Sequence, residues 1–161
     1  MIQKSYIREN SMDLVEQVEI YRIAIACGIY SKTELSEFLD KIIVDLDEPP
    51  YEIIEASLAC NKNIQNALHK LKEYFYINNG LKTNINKHLL CIIREKYYSN
   101  EITLDDAIYY LDNLLKETDL ENEIIATINY LSDGLYLAKE RIYGEVEDIE
   151  QDFIKFISQY Q

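Results

Sequence analysis

The chain has 161 residues, of which 48% are hydrophobic and 28% charged, so it can bury the core of one domain. No apolar run approaches the roughly 18 residues that a transmembrane helix needs. The 29 Asp and Glu outnumber the 16 Lys and Arg, which gives a formal net charge of −13. An acidic field of this size repels nucleic acid and anionic membranes and speeds encounter with a basic partner.

The charge is unevenly distributed along the chain. Residues 1–55 carry 5 Lys and Arg against 12 Asp and Glu, residues 56–100 carry 7 against 2, and residues 101–161 carry 4 against 15. The last third therefore holds most of the acidic surplus. The basic middle block contains tyrosines among its lysines, a composition that suits nucleic acid, but its acidic flanks argue against that ligand.

The three cysteines indicate a reducing compartment. Cys27, Cys60 and Cys91 are widely spaced, form no C-x-x-C motif and have apolar neighbours, so we expect buried, reduced thiols. The first ten residues lack the apolar core of a signal peptide, and we expect a cytoplasmic protein. His88 and Cys91 are three residues apart, but two ligands do not complete a zinc site. No metal or cofactor is expected.

Capping signals predict four helices in the first half of the chain. The first begins after Ser11 and ends at Gly28, a residue suited to a left-handed helix end. Ser31 and Glu34 form a capping box for the second, and Asn78-Asn79-Gly80 ends the fourth. The predicted ranges are residues 12–27, 32–45, 50–60 and 63–76.

Apolar spacing predicts the helices of the second half. One spans residues 84–98, and another follows Thr103 with a 3/4 apolar stripe. We expect Asp133-Gly134 to separate a helix over 120–132 from one over 135–143. The last spans 145–159, with its apolar residues spaced 3, 4, 3 and 4. The fold prediction is all-α: a single domain over residues 1–161, arranged as an irregular bundle or a stack of helical hairpins with seven to nine helices.

The sequence contains no catalytic motif. It has no nucleophile elbow and no phosphate-binding glycine loop, and His69 and His88 lack the H-E-x-x-H spacing. Paired carboxylates are numerous, but solvated helix faces account for them. We therefore do not expect an enzyme.

Nine residues are the predicted partner-binding site. A helical wheel places Tyr109 away from the core beside acidic neighbours, and it places three acids of the last helix opposite the apolar arc. First-turn acids are also favoured by the helix dipole, which explains part of their placement without a partner. The nine are Asp105, Asp106, Tyr109, Asp119, Glu121, Glu123, Glu147, Asp148 and Asp152.

Three segments carry a family resemblance. They are Glu101-Ile-Thr-Leu-Asp-Asp-Ala-Ile108, Asp133-Gly-Leu-Tyr-Leu-Ala138 and Ile142-Tyr-Gly-Glu145. In these segments the chain resembles the small acidic helical immunity proteins of bacterial polymorphic and contact-dependent toxin systems. The resemblance implies inhibition of a cognate toxin, often a nuclease, by tight acidic contact. It carries no individual functional residue over.

The predicted function is that of a non-catalytic protein-binding module, an immunity protein or antitoxin that neutralises a basic toxin. One alternative is a structural or regulatory helical adaptor that forms homo-oligomers by acidic-to-basic contact. A further alternative is a DNA-mimic inhibitor, whose acids should form a duplex-like stripe.

Overall fold

The computed structural model describes residues 13–80 and 84–161, and all regular secondary structure in these ranges is α-helical. The all-α prediction is confirmed, and the eight helices found there agree with the seven to nine predicted. They are α1 (Leu14–Cys27), α2 (Lys32–Asp45), α3 (Tyr51–Ala59), α4 (Ile64–Ile77), α5 (Ile85–Tyr98), α6 (Leu104–Glu117), α7 (Asn122–Lys139) and α8 (Val146–Ile157). In the described ranges, no helix is long and apolar enough to cross a membrane.

The chain divides into two compact units, Met1–Ile85 and Asn86–Gln161. The described part of the first unit holds α1 to α4. The second unit holds α6 to α8 and all of α5 except its first residue. The single domain over residues 1–161 stays a prediction.

The first unit packs its helices around one apolar cluster. Helix α4 packs on α1 and α3, and α2 packs on α1 and α3. The ring of Tyr21 stacks on Phe38 at 3.8 Å between centroids, and Tyr30 lies 4.9 Å from Tyr21. The larger members of the cluster are Leu14, Val18, Leu35, Phe38, Leu39, Ile42, Ile53, Leu68, Leu71 and Tyr74.

Side-chain caps begin three of these helices. Ser31 and Glu34 form the predicted capping box at α2, and Asn63 caps α4. The start of α1 differs from the prediction, because Asp13 accepts the bond from the Glu16 amide at 2.9 Å. Ser11, the predicted start signal, lies outside the described residues.

Four helices end in the same hydrogen-bond pattern. After α1, α4, α5 and α7, one residue adopts a positive φ, and the next amide donates to the carbonyl five residues back. This is the Schellman motif. The positive-φ residues are Gly28 at 88°, Asn79 at 53°, Asn100 at 62° and Arg141 at 58°. Glycine and asparagine adopt this conformation readily, whereas arginine does so at a cost.

Helices α6, α7 and α8 form consecutive packed pairs in the second unit. Thr103 and Asp106 form the predicted capping box of α6, and the ring of Phe153 receives Tyr97 edge-on at 4.9 Å. The apolar residues whose spacing predicted α6 and α8 are buried, except that Leu115, Val146 and Tyr160 are half-buried. Buried residues of these helices include Leu104, Ile108, Leu111, Leu114, Ile128, Leu131, Leu135, Ile149, Phe153, Phe156 and Ile157.

The predicted break at Asp133-Gly134 is wrong, because α7 runs continuously from Asn122 to Lys139. An isolated glycine costs a helix only about 1 kcal/mol relative to alanine. Here the glycine has a packing role. A Cβ built on Gly134 would lie 2.5 Å from Cδ1 of Ile149, so the missing side chain lets α8 approach α7 closely.

Two of the three cysteines are buried as predicted. Cys27 and Cys60 are buried, but Cys91 is only half-buried, which corrects the prediction for that residue. The Cys91 thiol donates to Oε1 of Glu95 at 3.7 Å. Partial burial, followed by the Glu95 charge and this bond, raises the pKa of Cys91. Cys27, Cys60 and Cys91 all lie in the described ranges, and no disulfide joins them.

Candidate functional site

A cavity of about 590 Å³ opens between α7 and α8 in the second unit. We call it the α7–α8 groove. Its lining comes from one face of α7, from the loop that connects the two helices, and from the first turn of α8. The lining residues are Tyr130, Asp133, Gly134, Leu137, Tyr143, Gly144, Glu145, Asp148 and Ile149.

One face of α7 forms the first wall of the groove. Tyr130, Asp133, Gly134 and Leu137 stand at positions i, i+3, i+4 and i+7 of a continuous helix. This spacing places them along a single helix face. Leu137 and Ile149, the latter close against Gly134, supply apolar atoms to the lining, and we call these two residues the apolar floor of the groove.

The connecting loop is fixed by backbone bonds while its side chains point to solvent. The amides of Ile142 and Tyr143 both donate to the carbonyl of Leu137, at 2.9 and 3.3 Å. Ile142 is 64% exposed and Tyr143 is 78% exposed. Arg141 holds the turn with its φ of 58°. This turn leads directly into the exposed Ile142 and Tyr143.

The start of α8 forms the second wall and contributes most of the charge. Glu145 occupies the N-cap position without a side-chain capping bond, and Asp148 lies in the first turn. Their charges offset the positive end of the helix dipole. With Asp133 they give the groove three carboxylates, and the nine lining residues include no Lys or Arg.

A hydrogen bond between α7 and α8 orients the tyrosine at one side of the groove. The hydroxyl of Tyr130 donates to Oδ2 of Asp152 at 2.6 Å. This bond raises the pKa of Tyr130, and the charges of Asp152 and Asp148 raise it further. The phenol therefore remains a protonated donor across the neutral range. Tyr130 is 55% exposed and lines the groove.

The predicted site residues of α6 have partners within the second unit. Asp105 accepts from Nζ of Lys139 at 2.8 Å, an exposed ion pair. Asp106 belongs to the capping box with Thr103. Tyr109 is 61% exposed, as the helical wheel predicts, and its ring lies 6.2 Å from that of Tyr110. Asp106 thus has a structural role that its sequence position explains, whereas the role of Asp105 depends on a lysine of α7.

The other predicted acids lie near the starts of α7 and α8. Asp119, Glu121 and Glu123 are exposed at or before the first turn of α7, and Glu147 and Asp148 are exposed on the first turn of α8. Asp152 is half-buried and accepts the bond from Tyr130. The helical wheel places Asp152 on the solvent side of α8, and the half-burial of this residue beside Tyr130 of α7 corrects that prediction. Among the nine predicted residues, Asp148 alone lines the groove.

Sequence reasoning missed the residues that surround Asp148. Reading Asp133-Gly134 as a helix break concealed the single face that joins Tyr130 to Leu137. Tyr143 falls in a connecting loop, where helical periodicity carries no information. The signal that could have found them was the one tolerated glycine inside an otherwise helical pattern, since such a glycine often marks a close helix contact.

The middle block has internal partners for several of its cations. Lys70 pairs with Glu73 at 3.4 Å, and Lys96 pairs with Glu101 at 3.4 Å. The guanidinium of Arg94 lies 4.8 Å from the centre of the Tyr98 ring. Within the described ranges, no group of three or more His, Cys, Asp or Glu side chains could hold a metal ion.

Comparison with known proteins found no relative. No protein-family model matches the chain, and no curated protein or solved structure is similar to it. The resemblance to immunity proteins thus stays a prediction, and the function is argued from the groove.

Proposed function

We propose that this chain is a non-catalytic binding protein that docks a basic protein partner through its second unit. The α7–α8 groove lies at the centre of the contact in this proposal. The observation that carries it is the lining, which combines three carboxylates, two exposed tyrosines and an apolar floor with no Lys or Arg. Interfaces commonly combine aromatic anchors with a charged rim in this way.

The charge around the groove supports the choice of a basic partner. The second unit carries 7 Lys and Arg against 16 Asp and Glu. Seven of the eight predicted acids are exposed, and only Asp152 is half-buried. A field of one sign accelerates encounter with the opposite sign, and salt weakens this effect. The exposed acids would set the association rate, and the groove would determine how long the complex lasts.

Within this proposal, the partner is a toxin domain and the chain is its cytoplasmic immunity protein. The support is the resemblance of three segments to immunity proteins. Two of them, residues 133–138 and 142–145, contain six of the nine groove residues. Cysteines without a disulfide suit the reducing cytoplasm in which such a protein would act.

Co-expression with each basic domain that a neighbouring gene encodes tests the proposal. The groove variant combines Asp133→Asn, Glu145→Gln and Asp148→Asn. Its matched control combines Glu37→Gln, Asp47→Asn and Glu48→Gln, three exposed acids of the first unit. Both variants change the net charge by the same amount. Circular dichroism and urea unfolding establish that each one folds.

The proposal expects the wild type and the control to bind the neighbouring domain and protect the host from it. The groove variant should bind more weakly, dissociate faster and lose protection. Equal binding by the two variants would contradict the proposed site. Sedimentation of the chain alone at low and high salt tests the adaptor alternative. A dimer that dissociates at high salt, together with no binding to any neighbouring gene product, would favour the adaptor over the proposed function.

A further inference from the structure

We infer that the α7–α8 groove receives an arginine side chain of the partner. This inference rests on the proposed function, because it assigns the residue that fills the docking site. The groove contains two aromatic surfaces, carboxylates and an apolar floor within one cavity, which are the three environments that an arginine side chain requires.

The two tyrosines favour arginine over lysine. Tyr130 and Tyr143 line the same cavity and are both exposed. A planar guanidinium can lie flat on a tyrosine ring while its N–H groups bond sideways. The ammonium of lysine is a compact, strongly hydrated charge, so it gains less from a ring. The bond from Tyr130 to Asp152 orients that ring before a ligand arrives.

The carboxylates of the groove suit the N–H groups of an arginine side chain, and its apolar floor suits the methylene groups. Asp133 lies on the α7 wall, and Glu145 and Asp148 lie on the α8 wall. A guanidinium presents five N–H donors, so it can bond carboxylates on both walls together. Leu137 and Ile149 offer apolar surface for the methylene groups. The volume of about 590 Å³ exceeds one side chain, which indicates an arginine within a peptide segment.

The charge of the groove excludes phosphate-bearing ligands from this assignment. Three carboxylates without a Lys or Arg in the lining repel the phosphates of lipids and nucleic acids. The groove therefore complements a positively charged ligand. A basic protein segment provides that charge together with the apolar stem that the floor fits.

The four glycines of the chain allow a direct test. Selective ¹⁵N labelling of glycine gives four amide signals, of which Gly134 and Gly144 line the groove. Gly28 and Gly80 belong to the first unit and serve as internal controls. The probes are acetyl-Gly-Arg-Gly-amide, the same peptide with Lys, and the same peptide with citrulline, a neutral isostere of arginine.

The arginine peptide should shift Gly134 and Gly144 with a Kd of about 1 mM, while Gly28 and Gly80 stay in place. We expect the lysine peptide to bind about two- to fivefold more weakly and the citrulline peptide to produce no saturable shift. Tyr143→Ala should bring arginine down to the affinity of lysine. Tyr51→Ala removes a similarly exposed tyrosine of the first unit and should leave the titration unchanged.

The outcomes separate this inference from the proposed function. Equal affinity for the arginine and lysine peptides would overturn the assignment of arginine. Gly134 and Gly144 signals that do not shift would also overturn the assignment of arginine. The proposed function would still stand in that case if the groove variant failed to protect the host in co-expression. Failure of the groove variant to differ from its matched control would remove the proposed function instead.

Discussion

Gly134 of α7 lies close against Ile149 of α8, because a Cβ on Gly134 would lie 2.5 Å from Cδ1 of Ile149. Gly134→Ala should destabilise the protein by about 1 kcal/mol, since overpacking outweighs the gain in helix propensity. Ile149→Val removes Cδ1 and should cost about 0.5–1.5 kcal/mol on its own. When combined with Ile149→Val, the Gly134→Ala substitution should become stabilising.

Urea unfolding of the four proteins of this double-mutant cycle measures the contact. The expected interaction energy between the two substitutions is about 1–2 kcal/mol. Additive effects would show that Gly134 is not needed for the approach of α8. The groove residue Leu137 offers a control, because Leu137→Met at a half-buried site on the same helix should not couple to Gly134.

The hydrogen bond from Tyr130 to Asp152 should be visible in the titration of Tyr130. Asp152→Asn removes the charge that helps to raise the pKa of this phenol and leaves only a neutral amide oxygen as the acceptor. The pKa of Tyr130 should therefore fall toward the ordinary tyrosine value of about 10. Site-specific ¹³C labelling of tyrosine followed by NMR measures it. Glu147→Gln is the matched control, and a pKa that fell equally in that variant would contradict the pairing.

Tyr97 should make stability sensitive to alkaline pH. Partial burial and its hydrogen bond to Glu150 raise the pKa of Tyr97 to about 12 in the folded protein. The unfolded state ionises near pH 10, so it loses the proton first. The stabilisation is fully present below pH 10 and is lost as the pH rises toward 12.

Urea unfolding at pH 8, 10 and 11 tests this pH dependence. Tyr97→Phe keeps the ring against Phe153 and removes the hydroxyl, so its stability should fall less steeply between pH 10 and 11 than that of the wild type. Tyr109→Phe, on an exposed tyrosine, provides the comparison. Parallel slopes for the wild type and Tyr97→Phe would show that other groups produce the alkaline loss.

The backbone at Arg141 should carry strain that a glycine substitution relieves. It holds a φ of 58°, a conformation that costs a non-glycine residue about 1 kcal/mol. Arg141→Gly should therefore be more stable than Arg141→Ala by about 1 kcal/mol, because both lose the charge and only glycine loses the Cβ. Thermal unfolding measures the difference. An equal stability of the two variants would contradict a strained turn.

Local sequence signals predicted the helix ends well and the groove poorly, for a physical reason. The capping boxes at Ser31 and Thr103 depend on residues within one turn, and the structure contains both. Periodicity also identified the buried faces of α6 and α8. The groove depends on which helix approaches Gly134, and that contact is not encoded within a single segment. Asp152 was misplaced for the same reason, since a wheel describes one helix and omits its neighbour.

The buried ion pair of α1 should be the most costly one to break. Glu19 and Arg22 are both buried, and Nη2 of Arg22 donates to Oε2 of Glu19 at 3.1 Å while Nε donates to Oε1. Arg22→Met leaves the Glu19 carboxylate buried without its partner. This should destabilise the protein by about 3–5 kcal/mol.

Two further variants distinguish the cost of leaving a buried charge unpaired from the cost of lost side-chain packing. Glu19→Leu combined with Arg22→Met removes both charges and should recover most of the loss, since buried pairs are often replaceable by apolar residues. Lys139→Met breaks the exposed pair with Asp105 and should cost less than about 1 kcal/mol. Urea unfolding compares the three. If the double substitution were as unstable as Arg22→Met alone, the cost would come from lost packing around α1, because no unpaired charge would remain.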